Sequence, residues 1–594
     1  MVFHLNDHVV DAGDQVLGPA FEASHHGPPE APDSREHGDS EQTPRPVRKR
    51  LQVFEMTRAT GPSGDRRNVR RRDSVVQSTY LLFRDDGERH FARAVSRIAY
   101  DNPFAPERIE SERVALGQRF TEDSPVWSPD RAQSESQRFH RERPNVVQLR
   151  DMTWQTAIAM RARLDGGRAQ LTSDELLLYE DLCLYALFAR YELNLYELAV
   201  DESGQPRKVG FYPAFKRDFE RLLVEPELAL PSGLTAATAL AFFFQIRRAF
   251  HYIFRYLLGI SRPIAELRAE TWHSVFTHDL RRYRNSVYRH MADIPTLIIG
   301  PSGTGKDLVA QAIGYARYLS FDENKLRFVE TFTSQYYALN VSALSRGVIE
   351  SELFGHRRGA FTGALDDHQG WLEMCGPDGT VFLDEIGELD QELQVKFLRV
   401  LQARSFQRLG ETKPRMFLGK IVAATHRDLD QGLEAGWFRE DLFYRLCADR
   451  IQTPSLRERI AADPGELGLM VSVLSERIAG KEYGPELAKE VQAFAERELG
   501  PSYGWPGNVR ELEQCVRNVL LRKRYRPARR AAPSPELDRA LLETGYDSET
   551  LLDRYCALSY RQTHSYVETG KRLGLDRRTV KERAERGARA LAAG

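Results

Sequence analysis

The sequence predicts a multidomain α/β protein: a phosphate-binding parallel sheet, preceded by a helix-rich region and followed by an all-α helix-turn-helix. Three observations carry this. A β-branched run, Thr296–Ile299, ends in a glycine-rich turn and passes into a stretch of helical spacing. An apolar run, Thr380–Leu383, ends in two carboxylates, Asp384 and Glu385. Near the C-terminus two short helical patterns flank Gly574.

At 594 residues the chain exceeds what one hydrophobic core serves, so several domains are expected. With 84 Lys+Arg against 85 Asp+Glu the net charge is -1, and any affinity for nucleic acid must come from a local patch. Cys183, Cys375, Cys447, Cys515 and Cys556 lie far apart with no C-x-x-C pair, which argues against a disulfide framework or a cysteine metal site. They read as buried thiols in a reducing cytosol. The first residues, MVFHLNDHVV, lack the basic start and apolar run of a signal peptide. The longest uncharged stretch, Leu228–Ile246, is broken by Pro231 and Gly233, so no membrane span and a cytoplasmic location are expected.

Residues 1–75 are rich in Gly, Pro, Ser and His, first acidic and then basic (Arg45–Arg50, Arg66–Arg72), and read as a disordered tail. In residues 76–270, Ser78–Gly87 reads as a strand entering a turn and Glu175–Leu198 as a buried helix. Ala236–Leu258 reads as a second helix, with Phe243, Ile246, Phe250, Phe254 and Leu257 on one apolar stripe. Two readings stay open: a helical core and nothing more, or a ligand or partner sensor lined by Tyr and Phe.

Gly300-Pro301-Ser302-Gly303-Thr304-Gly305-Lys306-Asp307 is a phosphate cradle. Its glycines let backbone N–H groups approach phosphate oxygens, and Lys306 offers a cation to the terminal ones. Asp307 stands where a Mg²⁺-ligating Ser or Thr is usual. A buried strand ending in Asp384 and Glu385 brings acids to the edge where open α/β sheets bind ligands; Asp384 is expected to hold Mg²⁺ and Glu385 to polarise the attacking water. A further apolar run, Ile421–Ala424, leads to Thr425 and His426. Downstream, Arg439 and Arg445 flank Glu440 and Asp441, and Gly507-Asn508-Val509-Arg510 opens a helix.

Between the phosphate cradle and the paired acids lies Gly359-Ala360-Phe361-Thr362-Gly363-Ala364, an apolar ring and a hydroxyl held between small residues, suited to an exposed tip. From about Thr271 to Arg522 the order of these motifs resembles the sigma-54-dependent transcriptional activators, the bacterial enhancer-binding proteins of the AAA+ class. The resemblance implies an AAA+ P-loop parallel sheet with a helical lid, ATP and Mg²⁺ as cofactors, and hydrolysis in a homo-oligomeric, hexameric ring. It implies that the loop Gly359–Ala364 touches sigma-54, that Asn340 restrains the catalytic glutamate, and that Thr425 and His426 occupy sensor I, where Thr-Asn is usual. Arg439 and Arg445 become candidate arginine fingers, each such cation worth roughly 10³ to 10⁵ in rate. Arg510 becomes the sensor II arginine. The N-terminal helical region takes the position of a regulatory domain, and no aspartate-bearing receiver pattern is present in it.

Between Arg561 and Gly594 nine Lys/Arg oppose four Asp/Glu. Gly574 at the turn and Asp576 as N-cap suit a helix-turn-helix, a charged helical hairpin being the alternative. Arg577, Arg578, Thr579, Lys581 and Arg583 are the candidate DNA contacts, and the unit resembles the Fis-type reader that ends many family members. The expected organisation is a tail (1–75), a helix-rich regulatory domain (76–270), an AAA+ α/β subdomain (271–450), a helical lid (451–522), a basic linker (523–535) and a Fis-type helix-turn-helix domain (536–594). The function expected is ATP-driven activation of sigma-54 RNA polymerase holoenzyme from an upstream enhancer. The rivals are a remodelling ATPase acting on another protein and a DNA-binding regulator that has lost hydrolysis.

Overall fold

The computed structural model describes residues 82–123, 144–165, 171–201, 207–331, 333, 335–527, 547–563 and 565–592. The expected tail, its arginine clusters and residues 528–535 of the basic linker lie outside them. The chain divides into two compact units, Met1–Lys523 and Arg524–Gly594.

The larger unit is organised on a five-stranded parallel sheet. Its strands are β1 (Thr296–Ile299), β4 (Tyr336–Asn340), β5 (Thr380–Asp384), β8 (Lys420–Thr425) and β9 (Asp449–Gln452), in the spatial order β4-β5-β8-β1-β9. Two small antiparallel pairs, β2 (Phe321–Asp322) with β3 (Arg327–Phe328) and β6 (Ser405–Phe406) with β7 (Arg415–Met416), project from the connections. Parallel strands are stable when both faces are covered, and here the two faces have different covers. Leu297, Val381, Leu383, Ile421 and Ala423 join a core built with the helices Arg346–Phe354, Gln391–Ala403 and Glu440–Leu446. Their alternates, Ile298, Phe382, Val422 and Ala424, join a cluster that runs back through the helix Lys306–Tyr315 to Leu82. The helices before residue 277 and the sheet therefore share one continuous hydrophobic core.

The centre of that core is the helix Ala236–Tyr256, expected to bury one stripe but in fact buried nearly all round. Its polar residues are accommodated in pairs. Arg247 meets Glu192 at 3.0 Å and lies over the Tyr196 ring, while Arg248 donates to the carbonyls of Tyr315 (2.7 Å) and Arg317 (2.5 Å). The second long helix, Ser173–Ala199, starts at a capping box between Thr172 and Glu175. The strand expected over Ser78–Gly87 is not found in its described part: residues 82–85 bend, and Asp85 caps the helix Asp86–Tyr100 by accepting from Glu88 N (2.8 Å). Leu82 and Phe83 are buried as the lead-in to a helix.

Beyond β9 come the helices Leu456–Ala462, Gly465–Phe494, broken at Gly480 (φ +76°), and Asn508–Arg522. Among the described residues no helix is long and apolar enough to cross a membrane, and all five cysteines are free. The smaller unit holds the helices Ser548–Thr563, Tyr566–Leu573 and Arg577–Ala592.

Candidate functional site

The strand–turn–helix at Thr296–Tyr315 folds as its sequence requires. Gly300, Gly303 and Gly305 take φ of +149°, +78° and +89°, conformations an L side chain resists. Space forbids a side chain as well. A Cβ on Gly300 would lie 2.2 Å from Thr453 Oγ1, and one on Gly303 would lie 2.5 Å from the Gly507 carbonyl. The segment that opens the helix Asn508–Arg522 is thus seated on the turn. Val509 N donates to Gly303 O (3.0 Å), Asn508 Nδ2 to Ser302 O (3.0 Å), and Arg510 reaches Ser302 Oγ (3.1 Å). Thr304 Oγ1 hydrogen-bonds Thr453 Oγ1 at 2.7 Å, and Pro301 contributes the carbonyl that Thr304 also reaches (2.9 Å).

Lys306 begins the helix and folds back, donating to the carbonyls of Gly300 (3.0 Å) and Pro301 (3.2 Å). Burial lowers its pKa, against the opposing pull of Glu385 and Asp384. Burial raises the Asp384 carboxyl, and the neighbouring Glu385 adds to it. Asp307 is exposed on the first turn, and its charge reaches both Lys306 and Asp384. A buried cation and two carboxylates around a glycine-rich turn suit a nucleotide phosphate with a divalent cation.

The two carboxylates are held differently. The register of β4 on β5 sets Asn340 beside Asp384, and Asn340 Nδ2 donates to Asp384 Oδ2 (3.2 Å). The expected restraint of Glu385 by Asn340 is therefore not what the structure has. Glu385 sits one residue past the strand with φ +57°, which turns it toward β8. There it accepts from His426 N (3.1 Å) and Thr425 Oγ1 (3.4 Å), and its Oε2 lies 2.8 Å from His426 Nδ1. His426, an expected sensor residue with an unusual side chain, is thus the direct partner of the expected catalytic glutamate. Asn508 and Thr453 were missed by the sequence reading of the site; the glycine-bounded Pro506-Gly507-Asn508 turn was the one local sign of the first.

Arg439 and Arg445 lie outside this cluster. Both are exposed, Arg439 as N-cap of Glu440–Leu446 and paired with Asp441 at 2.7 Å, Arg445 in the last turn of that helix.

The loop Gly359–Ala364 is a short exposed tip on a braced base. Gly359 N donates to Ala364 O (2.9 Å) and Ala364 N to Phe361 O (3.0 Å), with Gly359 and Gly363 at positive φ. Phe361 is 45% exposed, its ring edge-on to His356 at 5.0 Å, and Thr362 is exposed beside it. Ala360 rests on Gly410, and Ala364 is buried. Below, Arg357 pairs with Asp367 and Glu411, and Glu373 takes both Arg408 and Arg415 at 2.7 Å. The base is tied by charge while the apolar ring is left outward.

In the smaller unit Ser565 caps the helix Tyr566–Leu573, Gly574 ends it at φ +66°, and Asp576 accepts from Arg578 N (2.9 Å) and Thr579 N (3.0 Å). Arg577, Arg578 and Lys581 are exposed, while Thr579 Oγ1 is bonded to Asp576. Arg583 is not on the open face: it pairs with Asp553 at 2.9 Å, because Gly587 lets the helix Arg577–Ala592 cross close to the backbone of Asp553.

Comparison with known proteins agrees with this geometry. A profile described as Sigma-54 interaction domain matches residues 276–452. The Sigma54-dependent transcriptional regulator SfnR of Pseudomonas fluorescens (strain Pf0-1) is 35% identical over 323 residues, 49% of this chain and 82% of that protein. The Nif-specific regulatory protein of Azotobacter vinelandii is 36% identical over 299 residues, 49% of this chain and 53% of its own length. The Sigma54-dependent transcriptional activator SfnR of Pseudomonas putida is 42% identical over 234 residues, 39% of this chain and 57% of that one. The match thus spans only about half of two of these relatives. With its parallel sheet, phosphate cradle and exposed Phe-Thr loop in one unit, the chain belongs to the sigma-54-dependent transcriptional regulators of the AAA+ class.

Proposed function

We propose that this protein is an ATP-dependent activator of sigma-54 RNA polymerase that binds upstream DNA and couples hydrolysis to promoter opening. The observation that carries the reading is the pairing, in one unit, of Lys306, Asp384, Glu385 and Arg510 around a glycine cradle with an exposed Phe361-Thr362 tip.

The turn Gly300–Lys306 and Asp307 would receive the phosphates of ATP, and Asp384 would hold Mg²⁺, which when bound draws negative charge from the phosphates. Glu385 would take the proton of the attacking water, with His426 and Thr425 fixing its direction. Asn340 orients Asp384. Arg510 would report the nucleotide to the helix Asn508–Arg522 through the Ser302 hydroxyl it already touches. The exposed Arg439 and Arg445 would act on a neighbouring subunit, which makes hydrolysis depend on a homo-oligomeric, hexameric ring. Gly359–Ala364 would meet sigma-54 through the Phe361 ring and the Thr362 hydroxyl, contacts whose strength differs between nucleotide states.

The C-terminal unit would read enhancer DNA in the cytoplasm with Arg577, Arg578 and Lys581. Thr579, committed to Asp576, and Arg583, committed to Asp553, would instead hold the reading helix in place, in the manner of a Fis-type reader. The helical region before residue 271 would carry the regulatory input, within the organisation set out from the sequence. Replacing Thr362 by Ala tests the loop: ATPase activity and DNA binding are expected to stay at wild-type level while sigma-54-dependent open-complex formation is lost. Normal opening by Thr362→Ala would remove the loop from the mechanism.

A further inference from the structure

At the end of the sheet opposite the phosphate cradle lies a cavity of about 710 Å³. It is walled by the residues just before β1, β5 and β8, namely Ala292–Asp293, Pro377–Asp378 and Phe417–Leu418, and by the start of the helix Ala236–Tyr256 at Ala237 and Thr238. In a parallel sheet the amino ends of the strands face away from the nucleotide, so this space is separate from the site already described. Its size is that of a small-molecule site.

The lining has two characters. One wall is aromatic: Tyr288 and Tyr318 meet at 4.7 Å between ring centroids, and Phe242 backs both at 5.1 Å. The other is ionic, with Arg289, Arg317 and Arg404 against Asp293 and Asp378, an excess of one cation. Arg404 is accounted for: it donates to Gly419 O (2.6 Å), faces Asp293 at 3.4 Å and covers the Phe417 ring. Arg317 is not. One of its nitrogens reaches Pro377 O (3.2 Å), but its Nε is buried without a hydrogen-bond partner. The guanidinium itself is half-buried and borders the cavity, where it pairs with no carboxylate among the described residues, so an anion in the cavity would meet its outer nitrogens. Burial lowers the pKa of Arg317 and raises that of Asp378, each against the opposing pull of the other's charge.

We propose that this cavity binds a small aromatic anion, with the ring against Tyr288 and Tyr318 and the anionic group on Arg317, and that its occupancy biases the nucleotide site. Two elements join the sites. The ten-residue helix Lys306–Tyr315, about 15 Å long, begins with the phosphate-binding lysine and runs out into Arg317 and Tyr318. β5 begins just after Asp378 and ends in Asp384, next to Glu385. The helix Ala236–Tyr256 closes the cavity from the helical region, so a ligand here would touch that region and the sheet together. Binding stands on the cavity alone, whereas the coupling rests on the ATPase reading above.

The test titrates the full chain, saturated with ADP so that the phosphate cradle is filled, with 2-naphthoate, 2-naphthyl phosphate and neutral 2-naphthamide, read by calorimetry. At least one anion is expected to saturate a single site, at least tenfold more tightly than the amide. The two anions separate a carboxylate ligand from a phosphate one. Arg317→Met, and independently Ser320→Trp at the exposed rim, are each expected to weaken binding at least tenfold while ADP still binds. Failure of both anions, equal binding of the amide, or wild-type affinity in both variants would overturn the site. For the coupling, the anion's affinity is expected to differ at least threefold between the nucleotide-free and ADP-bound protein, since linkage is reciprocal. Equal affinities would overturn the coupling, and absence of ATP hydrolysis would count against the ATPase reading and not against the cavity.

Discussion

The two ends of the central sheet are built from the same five strands, yet they come about differently. At the carboxyl ends a few short stretches, each continuous in sequence, supply the cradle, the acids and the residues that hold them: Gly300–Lys306, Asp384–Glu385, Thr425–His426 and Asn508–Arg510. At the amino ends the cavity is assembled from single residues of separate connections and one helix of the preceding region. Chemistry that must grip a phosphate fixes residue type and spacing along the chain. A wall made by packing fixes only size and polarity, and those can come from any connection that reaches it.

The contrast can be broken from either end. The largest effect is expected at the carboxyl end: Glu385→Ala should bind ATP and lower its turnover by roughly 10² to 10⁴-fold, measured by phosphate release alongside nucleotide binding. Unchanged turnover would move the base elsewhere. Next comes the shared core. Phe250, fully buried, stacked on Phe104 at 5.2 Å and tilted against Phe254 at 5.0 Å, should cost about 3–5 kcal/mol on truncation to Ala. Because one cluster joins the helical region to the sheet, calorimetry of Phe250→Ala should find a single transition for the larger unit, lowered in temperature and still raised by ADP. Two transitions, with ADP moving only one, would separate the regions.

The smallest effect concerns pH. Burial, with Arg247 and Arg255 nearby, pushes His251 down to about 3 from an ordinary value of 6.5. The unfolded chain takes a proton there below about pH 6.5 and the folded one does not, so its contribution is complete above 6.5 and is lost as pH falls toward 3. The slope is about 1.4 kcal/mol per pH unit at most. Urea titrations at pH 7 and pH 5 should find His251→Gln less sensitive to that step than wild type; equal sensitivity would put a protonated imidazole in the core.

What was legible follows the same division. Thr296–Ile299 and Thr380–Asp384 are strands as read, because β-branched and apolar runs ending at glycine or at acids have few other uses. The helix Ala236–Tyr256 was legible as a helix but not as the centre of a core. A stripe on one side suggested a surface helix, and nothing local told that Glu192 and the carbonyls of Tyr315 and Arg317 would receive its arginines. Asn340 bonds Asp384 and not its neighbour Glu385, a matter of strand register that spacing alone does not reveal. Arg583 read as a free cation, yet Asp553, 30 residues earlier, takes it. The Gly359–Ala364 tip was recognisable because its glycines and exposed ring are all within six residues.

Promoter opening itself tests the assignment most directly. The purified full chain, sigma-54 holoenzyme and a promoter carrying an upstream site should give single-stranded DNA at the start site, detected by permanganate reactivity. Opening should require ATP, fail with a non-hydrolysable analogue, and fail with Thr362→Ala despite continued phosphate release. ATP hydrolysis by the wild type without any opening would contradict the assignment and make this a remodelling ATPase with another target.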